Sequence, residues 1–175
     1  MEKHKKVLIY GIGNPSKQDD AIGIGFTELI QKWVNDIYFS CIDVDSNYQL
    51  NIEDADLISK YDIVIFADAS VEEINEFKFQ KVKPRRRVEP SMHSVSPEFV
   101  LYLAQEMFQT YPETYVLQIK GYEFELDHDM TTRAKMNMYH AFRDITIWLE
   151  KQILKPCLEI HKNEKTWTYQ HHTQA

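Results

Sequence analysis

The chain has 175 residues, 43 % of them apolar, which is the size and composition of one domain around one buried core. Its 20 lysines and arginines face 27 aspartates and glutamates, and the formal net charge of -7 argues against a nucleic-acid partner, whose phosphates need a concentrated positive surface. No apolar run approaches the roughly 18 residues of a membrane span. Met1-Glu-Lys-His-Lys-Lys6 leads into a strand-like stretch rather than a signal-peptide core, so the expectation is a cytoplasmic protein with no membrane partner. Cys41 and Cys157 lack any CxxC or Cys/His spacing and are expected to be reduced and structural.

In chain order, Val7–Ile12 reads as a short buried strand. Ile22, Phe26, Leu29, Ile30 and Trp33 follow at helical spacing, and a second strand is expected over Ile37–Val44. A helix over about Gln49–Ser59 precedes Ile63-Val-Ile-Phe-Ala67, a run suited to a strand buried on both faces. Phe77-Lys-Phe-Gln-Lys-Val82 alternates as a half-covered edge strand does, and the basic loop Lys83-Pro-Arg-Arg-Arg87 comes after it. Ser96-Pro97-Glu98 carries the signals of a helix start, with the helix expected over Pro97–Thr110. Tyr115-Val-Leu-Gln-Ile119 reads as the final strand, and Ala134, Met138, Ala141, Ile145, Trp148 and Ile153 mark a long closing helix. Strands alternating with helices imply an α/β fold: an open, twisted, mostly parallel sheet with helices on both faces, a three-layer sandwich. The expected domain covers residues 1–155, with a polar, mobile tail over 156–175.

In such a sheet, ligands bind outside the carboxyl ends of the strands, so the residues that follow each strand carry the most functional information. After the first strand, a turn-rich loop ends in Asp19 and Asp20. A helix cap with a favourable dipole contact accounts for one of these acids and leaves the other open to a functional role. Asp68 follows the buried strand, where it either caps a local turn or serves as a ligand or proton carrier. His93 lies in the loop ahead of the Ser96 cap, at the same rim. Taken together, Asp20, Asp68 and His93 match an open divalent-metal site, and ligand type alone does not choose among Zn, Mn, Fe and Ni. Gly121, Tyr122 and Glu123 follow the final strand and are read as shaping the pocket, whereas Glu125 and Asp127 suit a solvated face.

The succession Gly11-Ile-Gly-Asn-Pro-Ser-Lys-Gln-Asp-Asp-Ala-Ile-Gly23, Gln49-Leu-Asn-Ile-Glu-Asp-Ala55, Phe66-Ala-Asp-Ala69, Ser91-Met-His93 and Gly121-Tyr-Glu-Phe-Glu125 resembles the nickel–iron hydrogenase maturation endopeptidases. The second and last of these segments look most like the branch that serves cytoplasmic, multi-subunit hydrogenases. The resemblance implies a metal-assisted endopeptidase that removes a C-terminal extension from the hydrogenase large-subunit precursor after nickel insertion. The family's metal contacts map onto Asp20, Asp68 and His93, and the same three are the implied catalytic residues. Nickel is then the recognition signal and is supplied by the precursor, with no organic cofactor, and Asp19 is expected to cap the helix. A monomer suits a crevice that must admit a large precursor.

No nucleophile competes with this reading. There is no GxSxG elbow, and Cys41 falls inside an expected strand with no histidine beside it in sequence. One alternative is a magnesium-dependent phosphoacceptor receiver module built on Asp19, Asp20, Asp68 and Lys120. Against it, Asp20 lies eight residues past Ile12 and Lys120 is followed by glycine. A dinucleotide site at Gly11-Ile-Gly13 lacks its third glycine, with Ser16 in that place. A non-catalytic chaperone for the nickel-loaded precursor is the third alternative.

Overall fold

A computed structural model describes residues 5–37, 40–86 and 95–151. Five strands, β1 (Val7–Ile12), β2 (Ile42–Asn47), β3 (Ile63–Ser70), β4 (Phe77–Lys81) and β5 (Glu113–Lys120), form one sheet in the order β2-β1-β3-β5-β4. All neighbours are parallel except β4, which runs antiparallel to β5 as an edge. The helices are α1 (Ile22–Ile37), α2 (Asp54–Ile58), α3 (Pro97–Phe108) and α4 (Thr132–Leu149).

The unbroken apolar runs of β1 and β3 are explained by burial on both sides. Alternate residues of each strand feed two different cores, as the two-residue period of a strand requires. Ile9, Ile65 and Ala67 face one way, with Phe26, Ile30, Ile145 and Leu149 of α1 and α4. Leu8, Tyr10, Val64 and Phe66 face the other way, with Ile58 of α2 and Val100 and Ala104 of α3. The three-layer α/β sandwich expected from the sequence is the architecture observed. No helix among the described residues is long and apolar enough to cross a membrane.

Several expected boundaries differ. β3 runs on to Ser70, three residues past Ala67, so Asp68 lies within the strand rather than after it. The apolar run starting at Ile37 is divided: Ile37 closes the last turn of α1 and packs on the first core, and the strand begins only at Ile42. Cys41 therefore lies just ahead of β2 rather than within it. The helix expected over Gln49–Ser59 shrinks to Asp54–Ile58 because Asp54 organises the preceding turn instead. Its Oδ2 accepts from the Asn51 amide at 2.7 Å, and its Oδ1 accepts from the Tyr10 hydroxyl at 3.1 Å. Helix α3 ends at Phe108, two residues early, because Gln109 takes a left-handed conformation with φ 53°. Its start is as expected, with Ser96 Oγ accepting from the Phe99 amide and Pro97 in the first turn.

Because β2 lies to one side of β1 and β3 to the other, the chain's winding reverses between β1 and β3. The carboxyl ends of these two strands form the crevice where open α/β sheets place their ligands. The segment that leaves β1 carries Asp20, and Asp68 lies within β3, two residues before its end.

Candidate active site

The loop after β1 is shaped by backbone contacts that only glycine permits. Gly13 has φ +144°, and a Cβ there would lie 1.8 Å from the Asp20 carbonyl oxygen. At the start of α1, a Cβ on Gly23 would lie 2.1 Å from the Ile12 carbonyl and 2.5 Å from that of Ala67, so the helix is set directly on the ends of β1 and β3. Gly23→Ala is expected to lower stability by more than about 2 kcal/mol, because the obstructing atoms are backbone. Chemical denaturation measures this, and a loss below about 0.5 kcal/mol would show that α1 can shift freely off the crevice.

Between these glycines the loop winds on itself. Asn14 Oδ1 accepts from the Ser16 amide at 2.9 Å, and the amides of Lys17 and Asp20 bond back to the carbonyls of Asn14 and Lys17. Asp20 Oδ2 accepts from the Asn14 amide at 3.0 Å, which fixes one carboxylate oxygen.

Asp68 stands near the end of β3, half-buried, two residues past Phe66. Burial pushes its carboxyl up to about 7; a hydrogen bond from the Ala69 amide opposes the rise, and the negative charge of Asp20 adds to it. The negative charge of Asp20 is thus near enough to Asp68 to add to the cost of ionising it, and two carboxylates so placed can attract a cation. The third sequence candidate, His93, lies outside the described residues, as do Ser91, Met92, Arg87, Cys157 and the segment 156–175. Among the described residues no group of three His, Cys, Asp or Glu side chains could hold a metal ion.

Asp19 differs from expectation. It does not cap α1; it is fully buried and faces the opposite way along the rim. Its carboxylate accepts from the amides of Tyr122 (2.8 Å), Glu123 (3.1 Å) and Thr131 (2.7 Å) and from the Thr131 hydroxyl (2.9 Å). Thr131 in turn caps α4 through the Ala134 amide. Gln18 adds two more links, to the Glu123 carboxylate at 2.8 Å and from the Glu125 amide at 3.0 Å. Asp19 and Gln18 therefore bolt the loop after β1 to the loop after β5, and leave Asp20 as the acid facing Asp68. The only sign in the sequence was the doubled acid, because the partners lie more than 100 residues away.

Gly121 and Tyr122 line a pocket, but Glu123 does not, and neither Asp20 nor Asp68 lines it. A cavity of about 580 Å³ is lined by Val71, Ile74, Gly121, Tyr122, Phe124 and Arg133 among others. Tyr122 is held at its hydroxyl by Asn137 (2.9 Å) and on its ring face by the Arg133 guanidinium, 3.9 Å from the centroid. Glu125 and Asp127 are exposed.

The receiver alternative fits this arrangement poorly. Its fold orders five strands 2-1-3-4-5, whereas here an antiparallel edge strand follows β5 in the sheet. Asp19 is saturated with donors, and Lys120 Nζ is engaged by the carbonyls of Val71 and Glu72 at 3.1 and 2.5 Å.

The molecule is an α/β sandwich whose crevice brings an acid of the first loop near an acid late in the third strand. In comparisons of sequence, no family model matches the chain and no curated protein matches it. In comparisons of structure, its fold is that of the hydrogenase maturation proteases. The [NiFe] hydrogenase maturation protease HycI from Thermococcus kodakarensis KOD1 superposes with a TM-score of 0.68 at 19 % identity, over 85 % of this chain and 95 % of its own. The hydrogenase maturating endopeptidase HybD from E. coli gives 0.64 at 16 % identity, over 83 % and 93 %. A hydrogenase 2 maturation peptidase from a Thaumarchaeota archaeon gives 0.58 at 19 % identity, over 83 % and 98 %.

Proposed function

We propose that this protein is an endopeptidase that removes a C-terminal extension from a nickel-loaded hydrogenase large-subunit precursor. The observation that carries the reading is the meeting of Asp20 and Asp68 at the switch point of a fold shared, over nearly whole chains, with proteins named for that activity. Asp20, Asp68 and His93 offer carboxylate oxygen and imidazole nitrogen, a donor set suited to a borderline divalent ion. Nickel belongs to the substrate: it arrives with the precursor, signals that the precursor is ready, and supplies the Lewis acidity that polarises the scissile carbonyl or acidifies a water. Asp68, with its affinity for protons raised close to neutrality, is the better placed of the two acids to take a proton from that water. No serine or cysteine nucleophile is then needed. The protein works in the cytoplasm as a monomer, without an organic cofactor.

The test is mass spectrometry of the cognate precursor, nickel-loaded and nickel-free, after incubation with the protein. Loss of a C-terminal peptide from the loaded form alone is expected. Loss from both forms would discard nickel as the signal, and loss from neither, with a competent precursor, would favour a chaperone that grips without cutting.

A further inference from the structure

The cavity beside Tyr122 lies outside the chemistry assigned to Asp20 and Asp68. At about 580 Å³ it falls within the roughly 300–1,000 Å³ over which protein clefts hold ligands. Residues of two segments that leave adjacent strands wall it, 71–75 after β3 and 121–124 after β5, and the Gly121 amide joins them by donating to the Ser70 carbonyl at 3.0 Å. Arg133, in the first turn of α4, completes the lining. Asp68 and Val71 are three residues apart, a path of at most about 11 Å, so a chain cut beside Asp68 reaches this cavity within about three residues of the scissile bond.

Arg133 is oriented there by a chain of contacts that starts in the core. Asn137 is 6 % exposed and donates to the Lys120 carbonyl at 3.0 Å and to the Tyr122 hydroxyl at 2.9 Å. The Arg133 guanidinium lies on the ring so fixed, 3.9 Å from its centroid. Stacking sets the plane of the guanidinium but uses none of its five N–H donors, and no oxygen among the described residues accepts from them. The helix dipole does not account for the position, since it disfavours a cation in the first turn. Lys120, whose Nζ is bonded to the carbonyls of Val71 and Glu72, adds a second positive charge to the lining, against one acid, Glu73. The cavity is thus locally positive on a chain of formal net charge -7. A planar fork held ready in a positive site suits a carboxylate, the anion that a polypeptide substrate carries. Val71, Ile74 and Phe124 offer apolar contact to the carbon atoms that bear it.

We propose that this cavity is a second substrate-binding site, in which Arg133, held flat on Tyr122, donates to a carboxylate of the precursor about three residues from the scissile bond. The carboxylate belongs either to an Asp or Glu side chain or to the C-terminus of the extension. The inference rests on the processing activity proposed above and adds the site that anchors the substrate chain beside the crevice.

The experiment compares wild type and Arg133→Gln on nickel-loaded precursors. In one series, each Asp or Glu within about five residues of the cut is replaced in turn by its amide. In a further precursor the C-terminal carboxylate of the extension is amidated by ligation. With the normal precursor, Arg133→Gln is expected to raise KM about tenfold with kcat little changed. It should melt as the wild type does, because the side chain is exposed. One neutralised carboxylate should slow the wild type about tenfold and leave Arg133→Gln unchanged, which is the signature of a direct pair. Whether that carboxylate is a side chain or the terminus identifies its source. Arg133→Lys, which keeps the charge and loses the fork, should recover only part of the loss. An unchanged KM in Arg133→Gln, or a raised KM with no carboxylate coupled to residue 133, would overturn the proposal while leaving the endopeptidase reading intact. A wild type that cuts no competent precursor would overturn that reading, and this inference with it.

Discussion

Asp68→Asn is expected to abolish precursor processing and at the same time to raise the melting temperature. Amide replaces carboxylate with little change of shape, so the half-buried site keeps its packing. Under the proposed function, what disappears is the carboxylate oxygen that would face the metal and the scissile bond, and with it about a thousandfold or more in rate, the several kcal/mol that metal-assisted charge stabilisation supplies. The stability effect has a definite sign. Burial pushes the Asp68 carboxyl up to about 7 in the folded protein from its ordinary 3.8. Between those values the folded chain holds a proton that the unfolded chain has released, so stability falls as pH rises from about 4 to about 7 and is level above. Asparagine escapes that fall. In chelator, the variant should melt on the order of 5 °C higher at pH 8 and equally near pH 4. Wild-type processing by Asp68→Asn would remove Asp68 from the chemistry, and a lower melting temperature at pH 8 would make it a structural acid.

Asp19→Ala should do the reverse, through the fold rather than the chemistry. It strips an acceptor from three backbone amides and the Thr131 hydroxyl around a fully buried carboxylate. It also opens a cavity against Gly121, whose Cβ position lies 3.1 Å from Asp19 Cβ. A loss of about 4 kcal/mol is expected, read by denaturant unfolding, with the largest gain in amide exchange at Tyr122, Glu123 and Thr131. A change within about 1 kcal/mol would mean that water replaces the carboxylate and that the two loops are not held together by it.

The contrast between adjacent aspartates shows which parts of the site the sequence discloses. Asp68 was legible because a carboxylate at the end of an unbroken apolar run is conspicuous, and Asp20 because a loop after the first strand must lie at the same rim. The roles of the pair Asp19 and Asp20 were not separable, since what distinguishes them is a set of donors brought from beyond β5 by tertiary packing. The same limit explains the boundaries. The apolar run from Ile37 to Val44 does not show where helix gives way to strand, and the turn that shortens α2 depends on Tyr10, 44 residues away. Fold class and the crevice follow from period and order, whereas loop-to-loop fastening follows from contacts with no local trace.

The strand order has a consequence for the protein as it is being made. β4 is synthesised before β5, yet β5 is its sheet partner, and β5 also covers the open side of β3. A nascent chain that has reached Lys81 can assemble β2, β1 and β3, but Phe77–Lys81 then waits unpaired until Lys120 has emerged. At about 5–20 residues per second, that interval lasts a few seconds. Throughout it the flank of β3 is bare, and so are its residues Val64 and Phe66 on the face that α3 later covers, which makes this strand the surface on the growing polypeptide most in need of a chaperone.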